Sequence, residues 1–487
     1  MHKGKSVLSL EINRDQPVYP QIISAITGKI QTGELQPGTP IPGSRQLAEG
    51  LNVNRQTVVE AYDRLIAQGW LQTSLRKGTF VNEALPDTSA WSNGKGHQIS
   101  PKFDYKHFPQ PSQLEDMSGM YWAVKFDDGF PDPQMGPFQE LNAAYRRAYI
   151  AVKRRGDIIH GHPLHLQVIG ELDKMLRSAR GVQVDPDHTC FIRGGQMALY
   201  LIAHCLLKNP GEAIAIEDPG NPFFRRSLQV TGAELVPIPV DQDGIDLDAL
   251  SSAAMFKPLR AVVITPHSQY PTTVTMSLER RKALKDLAEQ FRFAIIEVDL
   301  NGEFWYESYP DSRLVADNRD GNVIYLSCLS AMMPPLSFIN YVIGPVGFIT
   351  TLRNLWQTLD NQEDLILENA ILELMREGIL ARYARRSSAS YRIKRDHVAS
   401  MLRTYMDNLV NFNVPRGGLA FWLTFKKPID TNTLLEQLVQ QGVYVPPPAP
   451  YSFESKDPQA LRLGFASLDD ASLEKAIKTM RSIMREM

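Results

Sequence analysis

The chain has 487 residues, of which 43% are hydrophobic and 22% are charged, and its formal net charge is −2. These values are typical of an ordinary globular protein of about two to four domains, and the charge gives no overall signal for nucleic acid binding. No stretch approaches the roughly 18 apolar residues of a membrane span. The three cysteines have neither disulfide nor metal-site spacing, so we expect a cytoplasmic protein without a metal centre.

The first predicted elements are three helices and a hairpin. One helix runs from about residue 17 to 31. The second begins at Ser44, which we expect to cap it, and the third begins after Asn54, a second cap, and ends at Gly69. Apolar residues recur at helical spacing in these two helices: Leu47, Ala48 and Leu51, then Val58, Ala61, Tyr62 and Leu65. Because only residues 50–54 separate them, the two helices are predicted to form a helix-turn-helix.

Polar residues fall where a helix-turn-helix contacts DNA. Arg55, Gln56 and Thr57 fill the first turn of the second helix of the motif, which enters the major groove, where Arg pairs with guanine and Gln with adenine. Strands at 70–72 and 79–81 join at a basic tip that suits backbone or minor-groove contact. The predicted DNA-contacting residues are Ser44, Arg45, Asn54, Arg55, Gln56, Thr57, Arg76, Lys77, Gly78 and Thr79. Residues 1–83 carry nine Lys and Arg against seven Asp and Glu, so this prediction depends on placement and not on bulk charge.

The alternative is a small helical subdomain with ordinary surface arginines. Residues 19–81, however, contain a leading Tyr-x-Gln, a Gly-x-Leu-x-Pro-Gly turn, a Ser-Arg pair and a Gly-Thr-Phe-Val wing in that order. This stretch resembles the GntR-type winged helix-turn-helix, which implies a DNA-binding domain at 1–83. It departs from the family at Asn54, where Ser is usual, and at Arg76, where the wing usually has a second Gly.

Residues 84–125 are rich in Ser, Asn, Gly, Lys, Gln and Pro, which predicts a linker. From residue 126, helical patterns alternate with buried-strand patterns, as in an α/β doubly wound sheet. The predicted strands lie at 213–216, 234–238, 259–265, 294–298 and 323–326, and the predicted helices at 196–207, 222–230 and 277–291. Helices dominate from 354 to 408, and strands at 418–423 and 462–465 then indicate a smaller α+β subdomain.

Residues 126–487 resemble the fold-type I aminotransferases and, together with the winged helix, the MocR subgroup of GntR regulators. The matching stretches lie at 161–164, 194–199, 217–220, 265–272, 297–304, 325–341, 377–396 and 461–465. The resemblance implies a multidomain protein with a large subdomain at about 160–355 and a small one mainly at 370–487. It also implies a homodimer that binds pyridoxal phosphate and senses an amine or amino acid through it.

The lysine loop departs from the family. The family loop reads roughly Tyr-x-Gly-Thr-Phe-Ser-Lys-x-x-x-Pro-x-x-Arg-x-Gly-Tyr, and residues 325–341 are its counterpart here. Ala331 stands at the position of the lysine that forms the imine, and Phe338 at the position of the phosphate-binding arginine. No lysine lies between Lys285 and Lys394. We therefore expect no internal imine with pyridoxal phosphate.

Four further positions of the cofactor site also differ from the family. Val298 stands where the family has the acid for the pyridine nitrogen, and Leu300 where it has the tyrosine for the ring hydroxyl. Taking Asp299 as the acid requires a slip of one residue, which turns the side chain to the other face of the strand. Asn221 replaces an aromatic that stacks on the ring, and Gly195 a phosphate-binding Ser or Thr. A pocket in which charged and polar groups are replaced by apolar ones holds a dianionic phosphate only at a large desolvation cost.

Arg462 does not follow this trend, because it remains at the family position that anchors the substrate α-carboxylate. Two interpretations stay open: an internal ion pair, or an anchor for an acid that binds non-covalently. The predicted ligand pocket consists of Arg462, Gly194, Gly195, Asn221, Tyr270, Val298, Leu300, Ser327, Ser330, Ala331 and Phe338.

Three functions are compatible with these patterns. The first, which we favour, is a transcription regulator and not an enzyme: the winged helix binds double-stranded operator DNA, and the degenerate aminotransferase-like part dimerises and binds a carboxylate-bearing effector non-covalently. The second is an aminotransferase-like enzyme, or a regulator, that uses pyridoxal phosphate. The third is a DNA-binding dimer in which the second domain is only a scaffold.

Overall fold

The computed structural model describes residues 18–74, 78–85, 122–155, 164–307, 313–317, 321–329, 333, 339–360, 364–454 and 456–487. The chain divides into two compact units, residues 1–110 and 111–487. None of the helices in these described ranges is both long and apolar enough to cross a membrane.

The described part of the first unit is a three-helix core followed by a hairpin. Its elements are α1 (Val18–Gln31), α2 (Ser44–Leu51), α3 (Arg55–Ala67), β1 (Leu71–Ser74) and β2 (Gly78–Val81). Each apolar position predicted on α3 is buried, and the α1 isoleucines at 22, 26 and 30 pack against them. The antiparallel pairing of β1 with β2 confirms the predicted hairpin.

The ends of these helices test the predicted caps. Asn54 caps α3, since its side chain accepts a hydrogen bond from the N–H of Gln56 at 2.8 Å. The prediction for Ser44 was wrong: the N-cap of α2 is the extended Gly43, Ser44 is the first helical residue, and no side-chain cap bond forms there. The sharp turn is made by Asn52, whose left-handed backbone ends α2.

The second unit is built around an eight-stranded sheet. Its helices are α4 (Phe138–Arg155), α5 (Leu164–Arg180), α6 (Gly195–Leu206), α7 (Pro222–Val230), α8 (Leu247–Phe256), α9 (Leu278–Phe291), α10 (Val346–Leu359), α11 (Leu365–Arg376), α12 (Ile379–Met406), α13 (Thr431–Gln440) and α14 (Asp470–Glu486). Its strands are β3 (Val124–Lys125), β4 (Thr189–Arg193), β5 (Ala213–Asp218), β6 (Glu234–Asp241), β7 (Gly244–Ile245), β8 (Leu259–Ile264), β9 (Ala294–Asp299), β10 (Val323–Cys328), β11 (Ile339–Ile343), β12 (Val410–Asn411), β13 (Ala420–Phe425), β14 (Val443–Tyr444) and β15 (Ala460–Gly464).

The large sheet has the strand order β4-β11-β10-β9-β8-β5-β6-β7. The strands β10, β9, β8, β5 and β6 are parallel, whereas β11 runs antiparallel to both of its neighbours. Apolar clusters on both faces bury the sheet between layers of helices, which is why its strands are almost continuously hydrophobic. The predicted α/β alternation is confirmed.

The smaller subdomain packs α12, α13 and α14 on the antiparallel sheet β12-β13-β15. The structure differs from the predicted linker boundary at residue 125. Val124 is 2% exposed and lies in the core of this subdomain, and β3 pairs with β14. The reason is a long-range strand pairing that composition does not encode.

Candidate functional site

The predicted DNA-contacting residues of the helix-turn-helix lie at the first turns of α2 and α3. Arg45 is exposed on α2, and Arg55 and Gln56 are exposed on α3, where the Asn54 side chain holds the helix start. Thr57 is half-buried. The first turn of α3 therefore presents two long polar side chains to solvent, at the surface that reads base edges in this motif.

The wing begins at Gly78 and Thr79, the first residues of β2. Residues 38–41 pair with β2 of the hairpin, since the N–H of Gly38 donates to Val81 O and the N–H of Ile41 donates to Thr79 O. Tyr62 of α3 donates to Pro42 O at 2.8 Å, which ties the recognition helix to this segment. The predicted contacts at Arg76 and Lys77 lie outside the described residues.

A cavity of about 960 Å³ opens in the second unit, at the carboxyl ends of the parallel strands. Seven residues of the predicted pocket line it: Gly194, Gly195, Asn221, Tyr270, Val298, Leu300 and Arg462. Ser327 does not, because its side chain is fully buried beneath the site and donates to Asp299 O at 2.6 Å. The remaining predicted residues, Ser330, Ala331 and Phe338, lie outside the described residues.

The end of β9 separates its side chains between the two faces of the sheet. Val298 packs with Leu326 in one apolar cluster, whereas the carboxylate of Asp299 accepts from the Tyr325 hydroxyl at 2.8 Å on the opposite face. Asp299 reaches the cavity wall, but its carboxylate is held by Arg313 at 2.9 Å. The alternation predicted for this strand is therefore present, and Val298 is the residue that faces the cluster of α6.

Asp299 belongs to a buried ion network. Arg180 of α5 contacts Asp299 at 3.5 Å, forms an ion pair with Glu303 and donates to the Tyr325 hydroxyl at 2.8 Å. Burial by itself raises the pKa of Asp299, but Arg313 and Arg180 hold it well below its usual range. Burial raises the pKa of Glu303. The network leaves no room for a side chain at Gly302, where an added Cβ would lie 2.5 Å from the Asp299 carboxylate.

Arg462 forms an internal ion pair. Its Nε lies 3.1 Å from Asp128 Oδ1, its Nη1 donates to Pro271 O at 2.5 Å, and its guanidinium lies 4.5 Å from the centre of the Tyr270 ring. Tyr451 donates a second hydrogen bond to Asp128 at 2.8 Å. Burial raises the pKa of Asp128 to about 6, although Arg462 and Tyr451 act in the opposite direction. The internal ion pair of the first interpretation is therefore present in the structure.

Two asparagines occupy helix N-termini at the cavity. Asn221, at the position where the family has a stacking aromatic, caps α7 by accepting from the N–H groups of Phe223 and Phe224. Asn340 is 3% exposed, and with its amide oriented to satisfy its bonds its oxygen accepts from the N–H of Gly194 and of Gly195, each at 3.1 Å. The positive end of α6 is therefore covered by an uncharged group from β11.

Sequence reasoning missed four residues of this site: Asp128, Arg180, Arg313 and Asn340. A signal existed for Asn340, because the family loop has Gly at that position. For the other three the sequence held none, since each is an ordinary charged residue: Asp128 and Arg180 pair with residues far along the chain, and the contact of Arg313 with Asp299 spans a loop without periodic pattern.

The carboxylate of Glu217, at the end of β5, supports a prediction about pH. It is buried, accepts from the Thr265 N–H at 3.1 Å and hydroxyl at 2.7 Å, and has a pKa raised to about 7 by burial. Because the pKa of Glu217 is higher in the folded than in the unfolded protein, protonation of this carboxylate stabilises the fold. The stabilisation is complete below the unfolded pKa of about 4.3 and is lost as the pH rises toward about 7.

We expect Glu217→Gln to remove this loss, which corresponds to about 3 kcal/mol. Urea unfolding of both proteins from acidic to neutral pH measures it: the stability of the variant relative to the wild type should rise across this window. Parallel pH profiles of the two proteins would contradict the assignment.

The chain matches known families over both units. Residues 18–81 match the family of bacterial regulatory proteins of the gntR type, and residues 154–332 match aminotransferase class I and II. It is 26% identical over 481 residues to the probable rhizopine catabolism regulatory protein MocR of Rhizobium meliloti, covering 98% of this chain and 95% of the relative.

Two aminotransferases resemble the second unit. Aromatic-amino-acid aminotransferase 1 of Thermococcus litoralis is 30% identical over 300 residues, which are 60% of this chain and 71% of the relative. The crystal structure of an archaeal alanine:glyoxylate aminotransferase superposes with a TM-score of 0.69 at 24% identity, covering 77% of this chain and 93% of that one. The chain therefore belongs to the aminotransferase class I and II family, and with its gntR-family winged helix it is a DNA-binding transcription regulator homologous to MocR over nearly its whole length.

Proposed function

We propose that this regulator binds its operator through α3 and that its aminotransferase-like unit holds no pyridoxal phosphate as an imine. The cavity instead receives an effector non-covalently, and the signal passes to the winged helix through the segment that joins the two units. The observation that carries the proposal is the pair of internal partners, Asp128 on Arg462 and the buried Asn340 on the start of α6.

At the DNA, Arg55 and Gln56 contact base edges in the major groove, and Asn54 and Thr57 support the same turn. Arg45 and Ser44 lie at the start of α2, the helix that crosses the backbone in this motif. The wing residues Arg76, Lys77, Gly78 and Thr79 contact phosphates or the minor groove. The exposure of Arg55 and Gln56 at a capped helix start supports this assignment.

The chemistry of the cavity does not fit pyridoxal phosphate. The cofactor needs a lysine for the imine, an acid at the pyridine nitrogen and donors for the phosphate. Position 331 is alanine in the sequence, Val298 and Leu300 are apolar, and the N–H donors of Gly194 and Gly195 already bond to Asn340. We therefore propose a protein without transaminase activity, and no reaction step is assigned to it.

Spectroscopy of the purified chain tests this point. After incubation with pyridoxal phosphate and removal of the unbound cofactor, we expect no near-ultraviolet or visible band from a bound aldehyde and no borohydride-trapped lysine at the cavity, because the sequence has no lysine between Lys285 and Lys394. Ala331→Lys should not restore transamination, since the acid and the phosphate donors stay absent. A borohydride-trapped lysine in the wild type would favour the alternative of a cofactor-dependent enzyme or sensor.

The exposed surface of α4 supports a homodimer. Tyr145, Tyr149 and Ile150 are 43%, 55% and 49% exposed, although they are large apolar side chains on one helix. Such a patch marks an interaction surface, and a two-fold dimer would match paired operator half-sites. We propose that a second copy of the chain covers this face.

A further inference from the structure

The charged groups of the cavity are balanced within the part of its wall that the structure describes. Four charged side chains reach it, and they form two ion pairs: Arg462 with Asp128 at 3.1 Å, and Arg313 with Asp299 at 2.9 Å. Burial lowers the pKa of His267, which also lines the cavity, and so disfavours its charged form. A ligand with a net charge would lose its hydration here without gaining a free counter-charge.

The start of α6 is closed to anions in the same way. The amide oxygen of Asn340 already accepts from Gly194 and Gly195, and it supplies two hydrogen bonds without a charge. A phosphate or carboxylate would have to displace this buried group.

The rest of the wall is apolar and aromatic. Phe130, Phe223, Tyr270 and Trp305 line the cavity together with Met197. Phe130 is 64% exposed and Met197 is 45% exposed, so part of the apolar surface of both residues faces solvent. The volume of about 960 Å³ suits a small molecule, and aromatic walls favour a flat ring by offset or edge-to-face contacts.

We infer that the cavity binds an uncharged aromatic molecule, because the chain's own Asp128 and Asn340 occupy the places where a ligand carboxylate and a phosphate would otherwise bind. This inference rests on the proposed absence of the cofactor from the cavity. It replaces the carboxylate-bearing effector that the presence of Arg462 in the sequence suggested.

A matched pair of probes tests the charge preference in the full-length protein. Indole-3-acetamide and indole-3-acetate share one shape and differ by a negative charge. Calorimetric titration at neutral pH should give the amide a Kd at least about tenfold lower than that of the acetate. Equal affinities, a preference for the acetate, or no binding of the amide would overturn the inference.

Three variants locate the binding site and test the origin of its charge preference. Leu300→Trp narrows the cavity and should abolish amide binding, whereas Phe256→Trp places the same side chain at an exposed position of α8 and should leave it unchanged. Asp128→Asn removes the internal carboxylate beside Arg462 and should improve acetate binding at least about tenfold. Thermal melting confirms that each variant is folded.

The outcomes separate this inference from the proposed function. A borohydride-trapped cofactor would overturn the proposed function itself. Preference of the cofactor-free wild type for acetate, or amide binding that survives Leu300→Trp in a folded protein, would overturn only the inference.

Discussion

Arg180→Met is expected to lower the free energy of unfolding by about 3–5 kcal/mol, because removal of one member of a buried ion network leaves the others uncompensated. The Arg180 side chain is 2% exposed and lies between Asp299 and Glu303. Asp299 would keep Arg313, but Glu303 would lose its ion-pair partner. Urea unfolding of the full chain, followed by a probe of the second unit, measures the loss.

Two controls distinguish the stability lost by breaking the buried network from the stability lost by removing any arginine of this helix. Arg177→Met removes a surface arginine from the same helix, where it pairs with Asp173 at 2.9 Å, and should cost no more than about 1 kcal/mol. The double variant Arg180→Met with Glu303→Gln removes the stranded charge, so it should recover part of the loss. If Arg180→Met and Arg177→Met proved equally mild, the network would have no special role.

Arg55→Ala is expected to weaken operator binding by about 1–3 kcal/mol, which is about 5- to 150-fold in Kd, with a change in unfolding free energy below about 0.5 kcal/mol. The physical reason is that Arg55 is exposed on the first turn of α3, where a bidentate contact to a base forms in the complex and few contacts form in the free protein. Gel-shift titration with operator and with unrelated DNA, at one stated salt concentration, measures both affinities.

Arg64→Ala is the matched control on the same helix. Arg64 pairs with Glu60 at 3.3 Å and lies 4.7 Å from the Tyr19 ring centre, near the other end of α3. Its loss removes the same charge and should reduce specific and non-specific binding by a similar small factor. Unchanged operator affinity of Arg55→Ala at moderate salt would remove α3 from base recognition.

The winged helix was predictable because its signals are local. The spacing of Val58, Ala61 and Leu65 within one helix, and the cap at Asn54, depend only on neighbours in the chain. Ser44 failed as a cap for a local reason as well: Gly43 adopts the extended cap conformation one residue earlier. Element boundaries of this kind shift by a residue without any change in fold.

The candidate cavity was predictable in position but not in character. The family pattern placed Val298, Leu300 and Arg462 at one site, and the carboxyl ends of parallel strands bring them together. The sequence could not say whether Arg462 is free or paired. Its partner Asp128 lies 334 residues away and enters from the start of the second unit.

By itself, the sequence determined the DNA-binding motif, the α/β class of the second unit and the alanine at position 331, since these depend on residue identity and short-range spacing. Only the tertiary structure decided which groups meet in the cavity. Asp128 reaches Arg462, and Asn340 reaches the first N–H groups of α6, because strand pairing and helix packing bring remote segments within hydrogen-bonding distance. Such contacts leave no periodic trace in a single chain, and they set the charge that a ligand meets.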